Sequence, residues 1–317
     1  YVAKEGTFLE SLNITIRKSE IRGVESQGMI CSLEELGIEE KSDGIEIVNE
    51  ENVVNFKLGE PVSNILKLND FIYDLAITAN RPDGMSVIGI AREISALLET
   101  KFNLPLQKEC ANIISFNPSI HIDDFDENYI YTITLINNLN GNNISPYWLK
   151  EKLEKSDINS ISLIVDITNY ILLEQGQPLH AFDKDKLCKL TGKNVEPNDF
   201  GIRSAYDKEI FVGIDGNKYE LNKNITLITC CDKPVAIAGV IGSLDSCVSN
   251  TTTSIFLEAA VFNPVLVRKS STEIGLRTES SSRFEKGISY KNTINSVKRT
   301  LTLISNLFNN DYKYNIY

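Results

Sequence analysis

Glu258 is the one charged residue in positions 254–262, SIFLEAAVF, a run that otherwise reads as a short apolar strand. An ionised carboxylate in such a strand costs several kcal/mol unless it is paired or hydrogen-bonded. Two readings are open: an ion pair with Arg268, Arg277 or Arg283, all near in sequence, or an acid held for a ligand. A second chemical cluster lies in 162–183, SLIVDITNYILLEQGQPLHAFD. Here 162–165 reads as a strand, Asp166 as an N-cap, and Ile167, Tyr170 and Ile171 as one helical face that Gly176 closes. Thr168 and Asn169 then occupy a first helical turn with free backbone N–H groups, an address for an anionic or carbonyl ligand. His180 follows Pro178 in a segment without period, at a cleft edge, either as a satisfied structural residue or as an acid–base group. His180 and Asp183 make two metal ligands without a third. Gly239 and Gly242 bracket a turn at which backbone can approach a ligand closely.

The elements around these residues follow from pattern and punctuation. Asn263 and Pro264 open a helix that Gly275 stops, and the tract after it, GLRTESSSRFEKG, is hydroxyl-rich, charged and aperiodic, a surface or cleft loop. Upstream, 71–78 reads as a strand leading into a turn at Asn80 to Gly84. Ser86 caps the next helix, whose Val87, Ile90, Ala91, Ile94, Leu97 and Leu98 share a face suited to packing on a sheet. Residues 129–136 alternate as a half-buried strand, a turn centres on Gly141, and Ser145 with Pro146 opens a helix anchored by Trp148, Leu149 and Leu153. From 210 to 242 come a hairpin through Asp215 and Gly216 and the strands ITLIT and PVAIAGV. Ile294, Val297, Leu301, Ile304 and Phe308 mark a final amphipathic helix, and the first 60 residues alternate short apolar runs with Gly turns, a small β-rich piece before a linker at 59–61.

With 317 residues, 42% hydrophobic and 24% charged, the chain has enough apolar content for two or three ordinary globular domains. A net charge of −11 argues against a broad nucleic-acid-binding face, so any contact with RNA should be local. Six cysteines without CxxC spacing and only two histidines argue against a zinc site, and the cysteines read as reduced, mostly buried thiols. No run of 18 apolar residues and no signal pattern are found, so the reading is a cytoplasmic fragment of something longer, with no membrane partner.

IRGVESQGMICSLEELG, NRPDGMSVIGIARE, SPYWL, IVDITNYILLEQGQPLHAFD, KPVAIAGVIG and GLRTESSSRFEKG, in this order, resemble the beta subunit of bacterial-type phenylalanyl-tRNA synthetases over nearly the whole chain. Long ordered motifs are far more specific than a lone Gly-rich loop. The resemblance implies an α+β fold with four parts. These are 1–20, the end of an inserted OB-like tRNA-binding domain; 21–69, part of the first domain; 70–290, an editing domain built as a three-layer β/β/α sandwich; and 291–317, a C-terminal helix and linker. It implies post-transfer editing, the hydrolysis of Tyr-tRNA(Phe), by a fragment that does not aminoacylate. Editing needs no cofactor; ATP and Mg2+ serve the full enzyme. The implied partners are the 3′ end of tRNA(Phe) and the alpha subunit of a heterotetramer.

Carried over residue by residue, the resemblance places Thr168, Asn169 and His180 in catalysis, and Glu258, Thr278, Ser280, Gly239 and Gly242 in substrate binding, with no metal. The chain departs from the family pattern at Ser280 (Ala in the family), Ser243 (Gly) and Asn159-Ser160 (Arg-Pro). Rival readings are a non-catalytic scaffold for the alpha subunit and tRNA, and a free-standing amino-acid or RNA binding module. The chemistry fits a second sieve. Rejecting an isostere that only adds a hydroxyl yields on the order of 10² discrimination, whereas an acceptor left unpaired by phenylalanine yields about 10⁴ to 10⁵. Glu258 is such an acceptor. No nucleophile, His and acid stand at a recognisable spacing, so the expectation is direct attack by water oriented by Thr168, Asn169 and His180, with Gly239 to Gly242 backbone donors for the oxyanion.

Overall fold

The computed structural model describes residues 1–38, 41–42, 44–45, 57–107, 111–115, 119–121, 130–139, 144–308 and 314–317. They form two compact units, Tyr1–Tyr73 and Asp74–Tyr317. The first is β-rich: β1 (Val2–Lys4), β2 (Phe8–Leu9), β3 (Ile14–Thr15), β4 (Ser19–Ile21), β5 (Val24–Ser26) and β6 (Gly28–Ile30), followed by a single helical turn, α1 (Val62–Ile65). Here β1 pairs with β6, β2 with β3 and β4 with β5, all antiparallel, over a small core of Ala3, Leu9, Ile16 and Cys31.

The second unit is α+β. Its chain runs through α2 (Val87–Leu97), β7 (Ala111–Ile113), β8 (Ser119–His121), β9 (Ile130–Ile136), α3 (Tyr147–Glu154), α4 (Leu163–Gln175), β10 (Leu179–Asp183) and α5 (Lys184–Thr191). Next come β11 (Phe200–Ser204), β12 (Glu209–Val212), β13 (Lys218–Leu221), β14 (Thr226–Cys230), β15 (Lys233–Ile237), β16 (Ile241–Gly242) and β17 (Ile255–Val261). The last elements are α6 (Pro264–Glu273), α7 (Glu279–Phe284), α8 (Tyr290–Leu307) and β18 (Tyr314–Ile316). One sheet has the order β10-β17-β9-β18-β7, the other β16-β15-β14-β11-β8, and β12-β13 forms the hairpin read from Asp215 and Gly216.

Alternation along β17 explains its uninterrupted apolar sequence. Phe256 and Ala260 join a core with Phe200, Leu227 and Val235 of the second sheet, while Ile255, Leu257 and Ala259 join a core with Leu149, Ile167 and Leu301 of α3, α4 and α8. A strand buried on both faces needs apolar side chains at every position. Glu258 shares its parity with Phe256 and Ala260 and so lies on the face between the sheets. Within the second unit α8 packs on α4 and β17. No helix among the described residues is long and apolar enough to cross a membrane.

Several expected elements differ. Residues 162–165 are not a strand: Ser162 is the N-cap of α4, which runs without a break to its cap at Gly176. A four-residue apolar run does not separate strand from buried helix, and Leu163, Ile164, Ile167 and Ile171 bury at helical spacing. Asp166 is therefore not an N-cap but lies within the first turn. It accepts from Ser145 Oγ at 2.5 Å, from Ile161 N at 2.9 Å and from Ser160 Oγ, a carboxylate well placed near a helix N-terminus. Residues 71–78 form no strand, and Phe71, Ile72 and Tyr73 are exposed with no sheet to bury them. Ser86 does cap α2 through Gly89 N, but α2 packs on α4 rather than on a sheet, and Val87, Ile94, Leu97 and Leu98 of its apolar face are exposed. Trp148 is half-exposed, edge-on to Tyr170 with centroids 5.6 Å apart, while Leu149 and Leu153 are fully buried. The turn centred on Gly141 lies outside the described residues.

Candidate active site

β10 and β17 run antiparallel with His180 directly opposite Glu258. Both side chains share the face of Phe182 and Phe256, between the sheets. Further segments complete a pocket around them: Ile228 and Ala236 from β14 and β15, residues Gly239 to Gly242, and α7 with Ser280 and Phe284. It is open to solvent on one side.

Glu258 is 7% exposed. None of the three arginines expected nearby is its partner. Arg283 donates to Glu279 at 2.5 Å and to the Met85 carbonyl at 3.3 Å, Arg277 stands 3.9 Å from Glu285, and Arg268 is exposed on α6. The contact Glu258 does have is the Tyr131 hydroxyl, which donates to Oε2 at 3.5 Å. Burial pushes the carboxyl up to about 8, with the Tyr131 bond pulling weakly the other way. Glu258 is thus a neutral carboxylic acid at neutral pH, because desolvation outweighs one long hydrogen bond. Burial, and then the charge of Glu258, also raises Tyr131 well above the usual phenol value.

His180 is held down to about 4 by burial, so its ring is neutral. Its Nε2 is buried and has no hydrogen-bond partner among the described residues. The ring lies edge-on to Phe182, centroids 4.5 Å apart, and against Gly242, where a Cβ would come within 2.4 Å of Cε1 and 2.6 Å of Nε2. Only glycine leaves room for that ring. Gly239 is needed for two reasons: φ is +70°, and a Cβ would meet Phe284 Cδ2 at 2.9 Å.

The structure thus brings His180, Glu258, Gly239, Gly242 and Ser280 to one pocket. Thr278 stands one step behind the wall: it caps α7 by accepting from Ser281 N at 3.1 Å and donates at 3.0 Å to the carbonyl of Val240, which lines the pocket. The expected loop 275–287 therefore contains a short helix, organised by the same threonine. Thr168 and Asn169 are not among the pocket-lining residues. They sit half-buried in mid-helix on α4, which covers the other face of the β10–β17 sheet, and Thr168 Oγ1 donates to Val165 O at 2.7 Å. The free N–H groups expected beside them belong to a helix start that the structure places at Leu163. Sequence reasoning does not single out Tyr131, Val240 or Phe284; alternation puts Tyr131 on one face with Ile133, but only strand pairing says that Glu258 shares it. Two departures from the family pattern have structural work: Ser243 Oγ accepts from Asp245 N at 3.2 Å, and Ser160 holds Asp166.

Residues 128–309 match the model of the B3/4 domain, and the chain belongs to that family. Along nearly its whole length it is similar to proteins named phenylalanine–tRNA ligase beta subunit. That of Prochlorococcus marinus strain MIT 9312 is 62% identical over 310 residues, 97% of this chain and 38% of the relative. That of Prochlorococcus marinus subsp. pastoris strain CCMP1986 is 59% identical, covering 98% and 38%, and that of Synechococcus sp. strain CC9605 is 46% identical, covering 97% and 37%. The chain therefore spans less than two-fifths of these relatives. Among solved structures, an N-terminal fragment of the phenylalanyl-tRNA synthetase beta subunit from Pyrococcus horikoshii aligns with 62% of this chain and 59% of its own, at 17% identity and a TM-score of 0.30, too loose a superposition to carry weight.

Proposed function

We propose that the pocket hydrolyses tyrosine wrongly esterified to phenylalanine tRNA, as the post-transfer editing site of a phenylalanyl-tRNA synthetase beta subunit. The observation that carries this reading is Glu258, a buried acid on the wall of an open pocket with no cation beside it among the described residues. The tyrosine phenol donates to the carboxyl group, and a phenylalanine ring leaves that group dry. An unmet buried polar group costs about 1–3 kcal/mol, roughly five- to 150-fold in rate. Because burial keeps Glu258 neutral at neutral pH, the discrimination is that of a hydrogen bond rather than of an unpaired charge.

Opposite Glu258, His180 orients the attacking water; its Nε2 is buried and has no partner among the described residues, so entry of the ester must uncover it. A ring that titrates near 4 is a weak base at neutral pH, so His180 orients the water more than it takes the proton. The carbonyl oxygen becomes an oxyanion, for which the N–H of Gly239 is the available donor: Val240 N is already bonded to Ile237 O, and Gly239 N has no partner among the described residues. Thr168 and Asn169 enter this reading only through the family resemblance.

On the same reading 70–290 is the editing domain, a three-layer β/β/α sandwich, 1–20 and 21–69 belong to OB-like and first-domain parts, and 291–317 leads out of it. ATP, Mg2+ and the alpha subunit serve aminoacylation in a full cytoplasmic enzyme. Deacylation of Tyr-tRNA(Phe) and Phe-tRNA(Phe) by the chain tests it. Faster loss of tyrosine supports editing; equal rates, or none above the buffer rate, leave a binding role.

A further inference from the structure

α6 and α7 border a second groove, with about 1030 Å³ of space open to solvent. Its lining contains three cations, Arg268, Arg277 and Lys286, against one carboxylate, Glu285. Little of that positive charge is spent. Arg268 is exposed and its side chain has no partner among the described residues, Arg277 is 68% exposed and 3.9 Å from Glu285, and Lys286 donates one proton to the Ile77 carbonyl at 3.1 Å. Nor do the cations serve as caps for α6. The carbonyls at its end already accept from Ile274 N, Gly275 N and Leu276 N, and that of Arg268 from Thr272 Oγ1. In a chain of net charge −11, unspent cations gathered in one groove set up a local positive field against the general one.

The groove and the proposed active site share α7, whose Ser280 and Phe284 line the pocket and which leads into Glu285 and Lys286 of the groove. Val267 packs where a Cβ on Gly239 would sit, and Arg268 is the next residue. Phe284 walls the pocket, and Lys286 lies two residues on. We infer that this groove carries the phosphodiester backbone of the RNA strand whose 3′ end enters the pocket. The inference rests on the editing reading for the identity of that end; the groove itself is tested by binding alone. Guanidinium groups suit phosphate because they donate two parallel hydrogen bonds. Three cations correspond to a shallow salt dependence, a slope of about 2 to 3 in log K against log salt, as the acidic chain requires.

The experiment is the binding of uncharged tRNA(Phe) across a salt series, by the chain and by two double variants: Arg268→Gln/Arg277→Gln in the groove, and Lys208→Gln/Lys218→Gln on the exposed β12–β13 hairpin. The groove variant is expected to lose roughly tenfold in affinity at low salt and about 1.5 to 2 in slope, with the hairpin variant unchanged. The groove variant should also raise KM for Tyr-tRNA(Phe) hydrolysis while leaving hydrolysis of the 3′-tyrosyl ester of adenosine, which has no phosphate, as it was. Equal weakening by both variants, unchanged binding by the groove variant, or no salt-dependent binding by the parent chain would each overturn the proposal. Binding that depends on the groove without any tyrosyl-ester hydrolysis would uphold the groove and sink the editing reading instead.

Discussion

His180 and Glu258 occupy paired positions on adjacent antiparallel strands and face the same pocket, yet burial moves their titrations in opposite directions, to about 4 and about 8. Both groups are consequently uncharged at neutral pH, and the pocket presents two neutral hydrogen-bonding side chains.

Glu258→Ala should slow Tyr-tRNA(Phe) hydrolysis at least about tenfold, the factor that corresponds to 1.36 kcal/mol, and leave Phe-tRNA(Phe) hydrolysis equal or faster. Glu258→Gln keeps a neutral hydrogen-bonding group of the same shape and should retain much of the tyrosine preference. Since no arginine among the described residues pairs with Glu258, the alanine variant should melt within a few degrees of the parent. A large loss of melting temperature with an unchanged Tyr-to-Phe ratio would return Glu258 to a purely structural role.

Stability against pH gives a second check, and its sign differs for the two groups. The folded-state value of Glu258 is raised from 4.5 to about 8, so between those values the folded chain binds more protons and stability falls as pH rises. The folded-state value of His180 is lowered from 6.5 to about 4, so through that interval stability rises with pH. The two oppose each other below 6.5. From 6.5 to 8 the Glu258 contribution stands alone and removes up to about 1.4 kcal/mol per pH unit. Glu258→Gln should abolish that loss, as measured by denaturant unfolding at pH 6.5 and pH 8.

If His180 orients water and does not read the side chain, His180→Ala lowers both deacylation rates and leaves their ratio largely intact. Gly242→Ala places a methyl group 2.4 Å from the ring position of Cε1 and should reproduce that loss by displacing the imidazole. A Gly242→Ala chain with full activity would show that the ring position does not matter to the rate.

Asp166, fully buried, accepts three hydrogen bonds that tie Ser145, Ser160 and Ile161 to the start of α4. Asp166→Ala leaves those donors without a buried partner and should destabilise the unit by at least about 2 kcal/mol, read as a lowered midpoint in urea. Tyr-over-Phe preference should survive in the fraction that remains folded.

Local sequence carries a good part of the site. An acid isolated in the run SIFLEAAVF is enough to single out Glu258, and Asn263-Pro264 with Gly275 is enough to bound α6, because a cost of burial and a capping preference are local properties. The β12–β13 hairpin and α8 are legible for the same reason. The surroundings of Glu258 are not local. Its candidate partners in sequence, Arg268, Arg277 and Arg283, turn elsewhere, and Tyr131, 127 positions away, takes the contact because β9 lies beside β17. The start of α4 is ambiguous in sequence, since four apolar residues suit a strand and a buried helix equally well, and only the core of α3, α4 and α8 decides between them. That decision also moves Thr168 and Asn169 from a helix start to mid-helix on the other side of the sheet, while the pairing of β10 with β17 brings His180 to Glu258. Cross-strand register depends on which surfaces meet in three dimensions, so the tertiary structure alone could settle it.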